Sequence, residues 1–377
     1  MNKHPRIALL YISEVSGHHS ATLAIEKAIR SLEPRVTILN INALNYTNPI
    51  SEKVVNRLYM EIIKRTPRVW DYLYDNPSIV KNVERLRKRV HRLNSPKLKN
   101  LFEKFRPDAI ACTQAFPCGM VSDFKKTYYS GVPLVGVLTD YIPHSYWIHD
   151  NVDYYITPSE EVSLRLANKG TDPARIKSLG IPCDPKFNEP ADRLKTMQGL
   201  GLDPGLKTIL LMGGGQGLGP IRTIVKSLER LDSDAQEIIV TGTNKKLYRS
   251  LKRNLGEYRR SIALLGYAGN IHELMEVSDI IITKPGGVTT AEALCKGMPM
   301  VIVKPIPGQE ANNTSYLISH GAAVRTDKPD GINLIIGDLL RHPSKLSAMQ
   351  RSAIRIAKPH ASLDIARLLL ELAAGNG

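Results

Sequence analysis

The chain of 377 residues is too long for a single hydrophobic core, and its length predicts two domains. Its 51 Lys and Arg residues outnumber its 36 Asp and Glu residues, and the net charge of +15 predicts an acidic partner such as nucleic acid, an anionic membrane or a phosphorylated substrate. Four cysteines without a CxxC spacing argue against a zinc cluster, and no apolar run reaches the roughly 18 residues of a membrane span. Reduced thiols and the absence of a signal-peptide pattern predict a cytoplasmic location.

The first predicted strand, at residues 6–12, leads into a glycine turn and then a helix predicted over residues 21–32. The turn contains Gly17, His18 and His19, at the sheet edge where open α/β proteins bind their ligands. Histidine titrates near neutral pH, so a histidine at this turn is a candidate for taking a proton from an alcohol. The structural alternative is that both histidines only cap the helix.

Residues 50–106 form a basic insertion in the predicted N-terminal domain. Between residues 53 and 106 there are fifteen Lys and Arg residues but five Asp and Glu residues, and aromatic side chains are interleaved with them. A basic amphipathic segment with aromatic residues is typical of proteins that bind the surface of an anionic bilayer, which is our interpretation. A helix pair with a solvated basic face and a nucleic-acid surface are the alternatives, although no nucleic-acid-binding motif is present.

Two further strands are predicted at residues 109–112 and 134–138, and the second ends at Thr139-Asp140. A carboxylate at a strand end beside a catalytic histidine can orient that histidine and stabilise its protonated form. Asp140 is our candidate for this role, and a helix N-cap or turn residue is its structural alternative. Residues 184–207 lack periodic apolar residues and are predicted to link the two domains.

The predicted C-terminal domain opens with a strand at residues 208–212, followed by the sequence GGGQGLGP at residues 213–220. Such a turn before a helix suits a phosphate group, but its glycine spacing matches neither the dinucleotide fingerprint nor a P-loop. The sequence DSD at residues 232–234 precedes a strand and is interpreted as a turn. We therefore predict no metal here, and expect helix dipoles and loop amides to stabilise a bound phosphate or diphosphate instead.

Two consecutive strand–turn–helix units are predicted within residues 279–321. The glycines of the first turn, Gly286-Gly287, allow a ligand to approach the backbone, and the N–H groups of the following helix favour an anion. Glu292 and the pair Gln309-Glu310 are positioned to accept hydrogen bonds from sugar hydroxyls. A diphosphate site with hydroxyl-binding side chains on both sides predicts a nucleotide sugar as ligand. An ordinary βα turn with a carboxylate in the first helical turn is the structural alternative.

These motifs resemble those of the family 28 glycosyltransferases. The sequences KPGGVTTAEAL at residues 284–294 and KPIPGQE at residues 304–310 resemble the donor-binding region of that family. The lipid-glycosylating branch, which includes monogalactosyldiacylglycerol synthases and processive diacylglycerol glucosyltransferases, is the most similar. Gly17-His18, the pattern TD-x3-H-x2-W-x-H at residues 139–149 and the glycine run at residues 213–220 resemble the same branch.

The resemblance implies roles for individual residues. His18 rather than His19 is the implied catalytic base, with Asp140 beside it. Side chains on the acceptor side would be His144, Trp147 and His149. The implied donor-site residues are Gly213, Gly215, Gln216, Gly217, Tyr267, Ala268, Pro285, Gly286, Gly287, Thr289, Glu292, Gln309 and Glu310. Among these, the turn at Tyr267 and Ala268 would face the uracil ring, Glu292 the ribose, and Gln309 and Glu310 the donor sugar.

The resemblance also implies the GT-B architecture, an α/β fold in which two Rossmann-like domains face each other across a cleft. We place the N-terminal domain at residues 1–183, the linker at 184–207 and the UDP-sugar-binding domain at 208–350. The last segment, residues 351–377, is helical by periodicity and is expected to pack back towards the N-terminal domain.

The implied reaction is inverting transfer of glucose or galactose from a UDP-sugar to diacylglycerol or a glycosyl-diacylglycerol. The enzyme would be peripheral on the inner face of the cell membrane, bound to an anionic surface, and would need neither a cofactor nor nucleic acid. The alternatives are transfer to a polyprenyl-linked acceptor, a UDP-sugar epimerase of the same architecture, and a nucleotide-sugar-binding protein without transfer activity.

Overall fold

The computed structural model describes residues 4–47 and 96–375, so most of the predicted basic insertion lies outside the described residues. The chain divides into two compact units. The first unit comprises Met1–Pro185, Ile306–Gln309 and Lys358–Gly377, and the second comprises Lys186–Pro305 and Glu310–Ala357.

The described part of the first unit contains a six-stranded sheet flanked by helices. Its strands are β1 (Arg6–Tyr11), β2 (Thr37–Asn42), β3 (Ala109–Cys112), β4 (Leu134–Val137), β5 (Tyr154–Ile156) and β6 (Ile176–Lys177). Its helices, as far as β6, are α1 (Gly17–Leu32), α2 (Ala43–Thr47), α3 (residues 96–105), α4 (Ala115–Tyr128) and α5 (Glu160–Asn168), with 3-10 helices at Ser145–Trp147 and Pro173–Arg175. All strand pairs are parallel, in the order β2-β1-β3-β4-β5-β6.

Strand β1 is apolar from Ile7 to Leu10 because both faces of its sheet are covered. Ile7 and Leu9 pack into one hydrophobic cluster, whereas Ala8 and Leu10 pack into a second cluster. Alternate side chains point to opposite faces of a strand, so a strand buried on both faces lacks the polar alternation of a half-exposed strand. The strand predicted at residues 6–12 is confirmed, with bounds Arg6–Tyr11.

Helix α1 begins earlier than the sequence predicted. Ser16 caps it by accepting a hydrogen bond from the backbone N–H of His19 at 3.2 Å, and the helix starts at Gly17 instead of residue 21. Serine is a favoured N-cap because its side chain satisfies an N–H group that lacks a partner within the helix. Both histidines consequently lie in the first helical turn.

The second unit contains another six-stranded parallel sheet. Its strands are β7 (Lys207–Met212), β8 (Ala235–Val240), β9 (Ile262–Leu265), β10 (Ile280–Thr283), β11 (Met300–Val303) and β12 (Ala323–Thr326). Its α-helices are α6 (Arg193–Leu200), α7 (Ile221–Leu228), α8 (Lys245–Arg253), α9 (Ile271–Glu276), α10 (Gly287–Cys295), α11 (Gln309–Ser319, whose first residue belongs to the first unit), α12 (Ile332–Arg341) and α13 (Pro343–Ile356). Three 3-10 helices lie at Pro185–Asn188, Leu255–Glu257 and Pro329–Gly331. The strand order is β12-β11-β10-β7-β8-β9.

Each sheet has one position where the direction of strand addition reverses. In the first sheet this switch point lies between β1 and β3, and in the second it lies between β7 and β10. The loops leaving two such strands diverge and leave a crevice at the carboxyl edge of the sheet, where open α/β sheets bind ligands. The His18 turn and the Pro-Gly-Gly turn both lie at such edges. The predicted α/β class with two Rossmann-like sheets is confirmed.

The segment predicted as a linker is partly helical, because α6 lies within it. Asp192 caps α6 by accepting from the N–H of Lys195, Gly201 ends it in the left-handed region, and Met197 is buried.

The last helix, α14 (Ala361–Ala374), belongs to the first unit. Its Ile365 and Leu369 share a hydrophobic cluster with Ile25 and Ile29 of α1. Among the described helices, none combines the length and apolar character needed to cross a membrane.

Candidate active site

His18 is fixed by the ends of two neighbouring strands. Its Nδ1 lies 2.8 Å from the carbonyl oxygen of Thr113, which follows β3, and 3.0 Å from the hydroxyl oxygen of Thr139, which follows β4. The Thr113 hydroxyl also donates to the carbonyl oxygen of His18 at 2.9 Å. A carbonyl oxygen only accepts hydrogen bonds, so Nδ1 carries the proton of the neutral ring. This tautomer leaves a lone pair on Nε2 for accepting a proton.

The imidazole of His18 is held in its neutral form. Burial lowers the pKa of His18 below its ordinary value, and the hydrogen bond to Thr113 opposes this shift. Burial, followed by the electrostatic interaction with His18, lowers the pKa of His144 to about 3. Both rings are therefore uncharged at neutral pH, which is the state that a general base requires before it acts.

His19 has a different environment. Its Nδ1 lies 2.8 Å from the carbonyl oxygen of Glu14, and its ring stacks on Tyr11 with the ring centroids 4.2 Å apart. Of the two histidines, His18 is the one that contacts the ends of β3 and β4, and its role as catalytic base stays a prediction.

The groups that contact the Nδ1 of His18 differ from the one named from the sequence. Thr113 and Thr139 make these contacts, and both are buried. Asp140 accepts a hydrogen bond from the side-chain amide of Gln309, which is also part of the first unit, and its orienting role stays a prediction. Thr139 had a sequence signal because it starts the TD pattern. Thr113 had no such signal, because it contacts the ring through its backbone carbonyl oxygen, which every residue type has.

Two of the three acceptor-side candidates, Trp147 and His149, contact Tyr155 of β5 through their backbone, and the ring centroid of His144 lies 6.1 Å from that of Trp147. The Tyr155 hydroxyl donates to the carbonyl oxygen of Trp147 at 2.8 Å and accepts from the N–H of His149 at 2.9 Å. The indole of Trp147 is a core side chain with 4% exposure, while His144 and His149 are half-buried. Tyr155 thereby ties this segment to the sheet, and the acceptor role of the three residues stays a prediction.

The glycines after β7 are required first by the backbone of the loop itself. A Cβ atom on Gly213 would lie 1.9 Å from the carbonyl oxygen of Leu218, and one on Gly217 would lie 1.9 Å from that of Thr241. Gly215 accepts a hydrogen bond from the N–H of Thr243 at 2.9 Å, and the neighbouring Gln216 is exposed. The loop is thus locked against the segment that follows β8.

The Pro-Gly-Gly turn after β10 has free space beside its first glycine, unlike the loop after β7. A Cβ atom on Gly286 would meet no atom within 4 Å, and Gly286 caps α10 without any side-chain hydrogen bond. The buried Asn313 donates to the carbonyl oxygen of Pro285 at 2.9 Å and fixes the turn. The first N–H groups of α10 are therefore accessible to an anion. Thr289 and Glu292 are half-buried on this helix.

Lys284, which the sequence analysis did not single out, lies between these loops. Its ammonium group forms an ion pair of 2.5 Å with the carboxylate of Glu310, and the two side chains are 19% and 17% exposed. A Cβ atom on Gly219 would lie 3.9 Å from Lys284 Cδ, so the lysine also borders the glycine loop after β7. Lys284 thus places an ammonium group, paired with a carboxylate, at the switch point of the second sheet.

The remaining donor-site candidates, Tyr267 and Ala268, follow β9 at the end of the sheet order. Tyr267 is 73% exposed, and Ala268 is half-buried.

Two parallel sheets with polar residues at their switch points define a double-Rossmann protein of the GT-B fold. Two family models match consecutive parts of the chain. Residues 18–183 match the monogalactosyldiacylglycerol (MGDG) synthase model, and residues 208–363 match the glycosyltransferase family 28 C-terminal domain. The chain therefore belongs to the family 28 glycosyltransferases, as the sequence motifs predicted.

Similar proteins span nearly the whole chain. The processive diacylglycerol beta-glucosyltransferase of Bacillus pumilus is 28% identical over 372 residues, which cover 98% of this chain and 96% of that protein. The protein of the same name from Staphylococcus aureus strain Newman is 27% identical over 375 residues, covering 99% and 94%.

Solved structures share the fold at low sequence identity. MurG of Acinetobacter baumannii has a TM-score of 0.60 and 14% identity, covering 97% of this chain and 99% of that chain. The UDP-GlcNAc 2-epimerase of Neisseria meningitidis, bound to UDP-GlcNAc, has a TM-score of 0.62 and 14% identity, covering 98% and 100%. At this identity the likeness establishes the fold alone.

Proposed function

We propose that this protein is an inverting glycosyltransferase that moves a hexose from a UDP-sugar to diacylglycerol or a glycosyl-diacylglycerol. The observation that carries the proposal is the geometry of His18, whose Nδ1 lies within hydrogen-bond distance of Thr113 and Thr139 in the region matched by the MGDG synthase model. The names of the full-length relatives support diacylglycerol as the acceptor. They favour glucose, whereas the name of the matched N-terminal model favours galactose.

His18 acts as the general base in this proposal. Its Nε2 accepts the proton of the acceptor hydroxyl, and the oxygen attacks the anomeric carbon of the donor sugar. The bond between that carbon and the diphosphate oxygen breaks, and UDP leaves with the bonding electron pair. A single displacement of this kind inverts the anomeric configuration.

Binding of the donor falls to the second unit. The open N–H groups of α10 and the ammonium group of Lys284 supply positive potential for the diphosphate, so we propose that no metal ion is required. Glu292 is assigned to the ribose, Tyr267 and Ala268 to the uracil ring, and Gln309 with Glu310 to the donor sugar, as the resemblance implies.

The proposal is tested by supplying labelled UDP-glucose and, separately, labelled UDP-galactose. Vesicles containing diacylglycerol and phosphatidylglycerol serve as acceptor, and lipid products are separated by chromatography. Labelled glycolipid is the expected result, and its donor identifies the sugar. Label confined to water-soluble products contradicts the proposal, and a rearranged UDP-sugar formed without lipid favours an epimerase.

His18→Ala and His19→Ala form a matched pair for the same assay. Loss of a general base lowers rates by about 10² to 10⁴, so we expect His18→Ala to lose turnover to that extent and to retain UDP affinity. His19→Ala should stay close to the unmodified protein, because the ring of His19 stacks on Tyr11. Equal losses in both variants would remove His18 from the proposed role.

A further inference from the structure

Helix α8 of the second unit has a strongly basic exposed face. Its nine residues, KKLYRSLKR, include five basic residues and no acidic residue. Leu247 and Leu251 are buried in the core of the unit, and the spacing of the basic residues places them on the opposite, solvent-facing side. We name this surface the α8 basic face; all its members are exposed, and they are Lys245, Lys246, Arg249, Lys252 and Arg253.

The charges of the α8 basic face lack acidic partners within the described part of the chain. None of the five side chains forms an ion pair there, although Lys252 lies 6.0 Å from the ring centroid of Tyr248. Other lysines of the second unit do form ion pairs, as Lys207 does with Asp279 and Lys345 with Asp338. Five like charges within about 13 Å of helix repel one another, and a polyanionic surface relieves this repulsion.

We propose that the α8 basic face binds the anionic headgroups of a membrane surface. The inference rests on the proposed function, because diacylglycerol lies within a bilayer and the enzyme must meet it there. Electrostatic attraction to anionic lipids is one way in which a protein without a spanning segment reaches that surface. The face is distinct from the basic insertion at residues 50–106, and it gives the donor-binding unit a membrane contact of its own.

A nucleic-acid surface fits the α8 basic face less well. Single-stranded nucleic acids are bound by aromatic side chains that stack on the bases, together with basic residues. Tyr248 is the aromatic residue of α8, and it is half-buried with the ammonium group of Lys252 above its ring. The face therefore offers charge without a stacking platform, as expected for contact with lipid headgroups.

The test compares two triple variants with the same change in net charge. The first is Lys245→Gln, Lys246→Gln, Lys252→Gln on the α8 basic face. The control is Lys195→Gln, Lys226→Gln, Lys328→Gln, three exposed lysines elsewhere on the second unit. Co-sedimentation measures binding of the full-length protein to phosphatidylcholine vesicles with and without phosphatidylglycerol. Each basic residue near an anionic membrane contributes roughly fivefold to binding, so we expect the α8 variant to bind phosphatidylglycerol vesicles at least about tenfold more weakly than the control.

Two further measurements separate the competing explanations. UDP affinity, measured by calorimetry, should be equal in the two variants, and its selective loss in the α8 variant would assign the face to the donor site instead. Equal vesicle binding by both variants would overturn the proposal. Loss of binding to a single-stranded RNA with unchanged vesicle binding would do so as well, in favour of nucleic acid.

Failure of the proposed function remains distinguishable from failure of this inference. Vesicle binding requires no turnover, whereas glycolipid formation can be measured with diacylglycerol in detergent micelles that carry no anionic lipid. We expect the α8 variant to retain turnover in micelles while losing vesicle binding.

Discussion

The switch points of the two sheets carry different kinds of chemical group. At the first, a buried threonine pair contacts the ring of His18, and burial keeps the imidazole neutral. At the second, the Pro-Gly-Gly turn leaves backbone N–H groups open, and the ammonium group of Lys284 lies beside them, paired with the carboxylate of Glu310. Proton transfer requires an uncharged base in one tautomer, whereas binding an anion requires positive potential. The same sheet topology therefore carries a neutral imidazole in one unit and an ion pair beside open N–H groups in the other.

Among the variants that follow from this comparison, a substitution at the switch point of the second sheet should have the largest effect on activity. We expect Lys284→Met to lower kcat/KM by about 10² and to weaken UDP binding, because it removes positive charge from the position proposed for the diphosphate. Steady-state kinetics and calorimetry measure the two effects. Lys207→Met is the control, since Lys207 is also paired with a carboxylate, that of Asp279, and should have little effect.

A purely structural role for Lys284 makes a different prediction. If the lysine only neutralises Glu310, the double variant Lys284→Met, Glu310→Gln should recover UDP affinity, because no unpaired carboxylate remains. If Lys284 binds the diphosphate, affinity stays low in the double variant. Recovery of UDP affinity to that of the unmodified protein would thus show that Lys284 does not bind the diphosphate.

The neutral switch point is probed by Thr139→Val, which keeps the shape of the side chain and removes its hydroxyl. We expect kcat to fall by about tenfold, the value of one net hydrogen bond, with UDP affinity unchanged. Thr139→Ser restores a hydroxyl and should recover most of the activity. Rates measured with both variants decide whether the hydroxyl positions His18.

The pH profile of the same variant separates positioning from packing. Because burial lowers the pKa of His18, the acid limb of kcat/KM should lie below the ordinary histidine pKa of 6.5. An acceptor at Nδ1 favours the protonated ring, so its loss in Thr139→Val should lower this pKa and move the acid limb to lower pH. An unchanged acid limb with reduced kcat would indicate that Thr139 only packs beside the ring.

Residue type and local sequence pattern were sufficient to single out both candidate sites. Apolar runs followed by glycine turns located His18 and the Pro-Gly-Gly turn, because buried parallel strands and close backbone approach restrict those positions. The sequence did not identify Thr113, since any residue supplies a carbonyl oxygen. Lys284 lay inside a recognised motif, but its pairing with Glu310 depends on the side-by-side placement of loops that are separated in sequence.

A buried carboxyl group away from both switch points shows what burial does without a partner. Glu237 on β8 is fully buried, and neither of its carboxylate oxygens has a hydrogen-bond partner among the described residues. The guanidinium of Arg260, whose charge acts to lower the pKa of Glu237, donates instead to backbone carbonyl oxygens such as those of Leu228 and Ser233. Burial, and then the charge of Glu229, raise the pKa of Glu237 to about 8.

The raised pKa of Glu237 predicts a pH-dependent stability of the second unit. The unfolded chain releases this proton near pH 4.5 and the folded chain only near pH 8, so the free energy of unfolding should fall as pH rises between these values. The corresponding change is on the order of 5 kcal/mol as an upper limit. Glu237→Gln should flatten this dependence without changing turnover, whereas the exposed Glu257→Gln should preserve it. Urea unfolding across this pH range measures the free energy of unfolding of each variant. If its pH dependence were unchanged in Glu237→Gln, Glu237 would not be the source of that dependence, which would contradict the prediction.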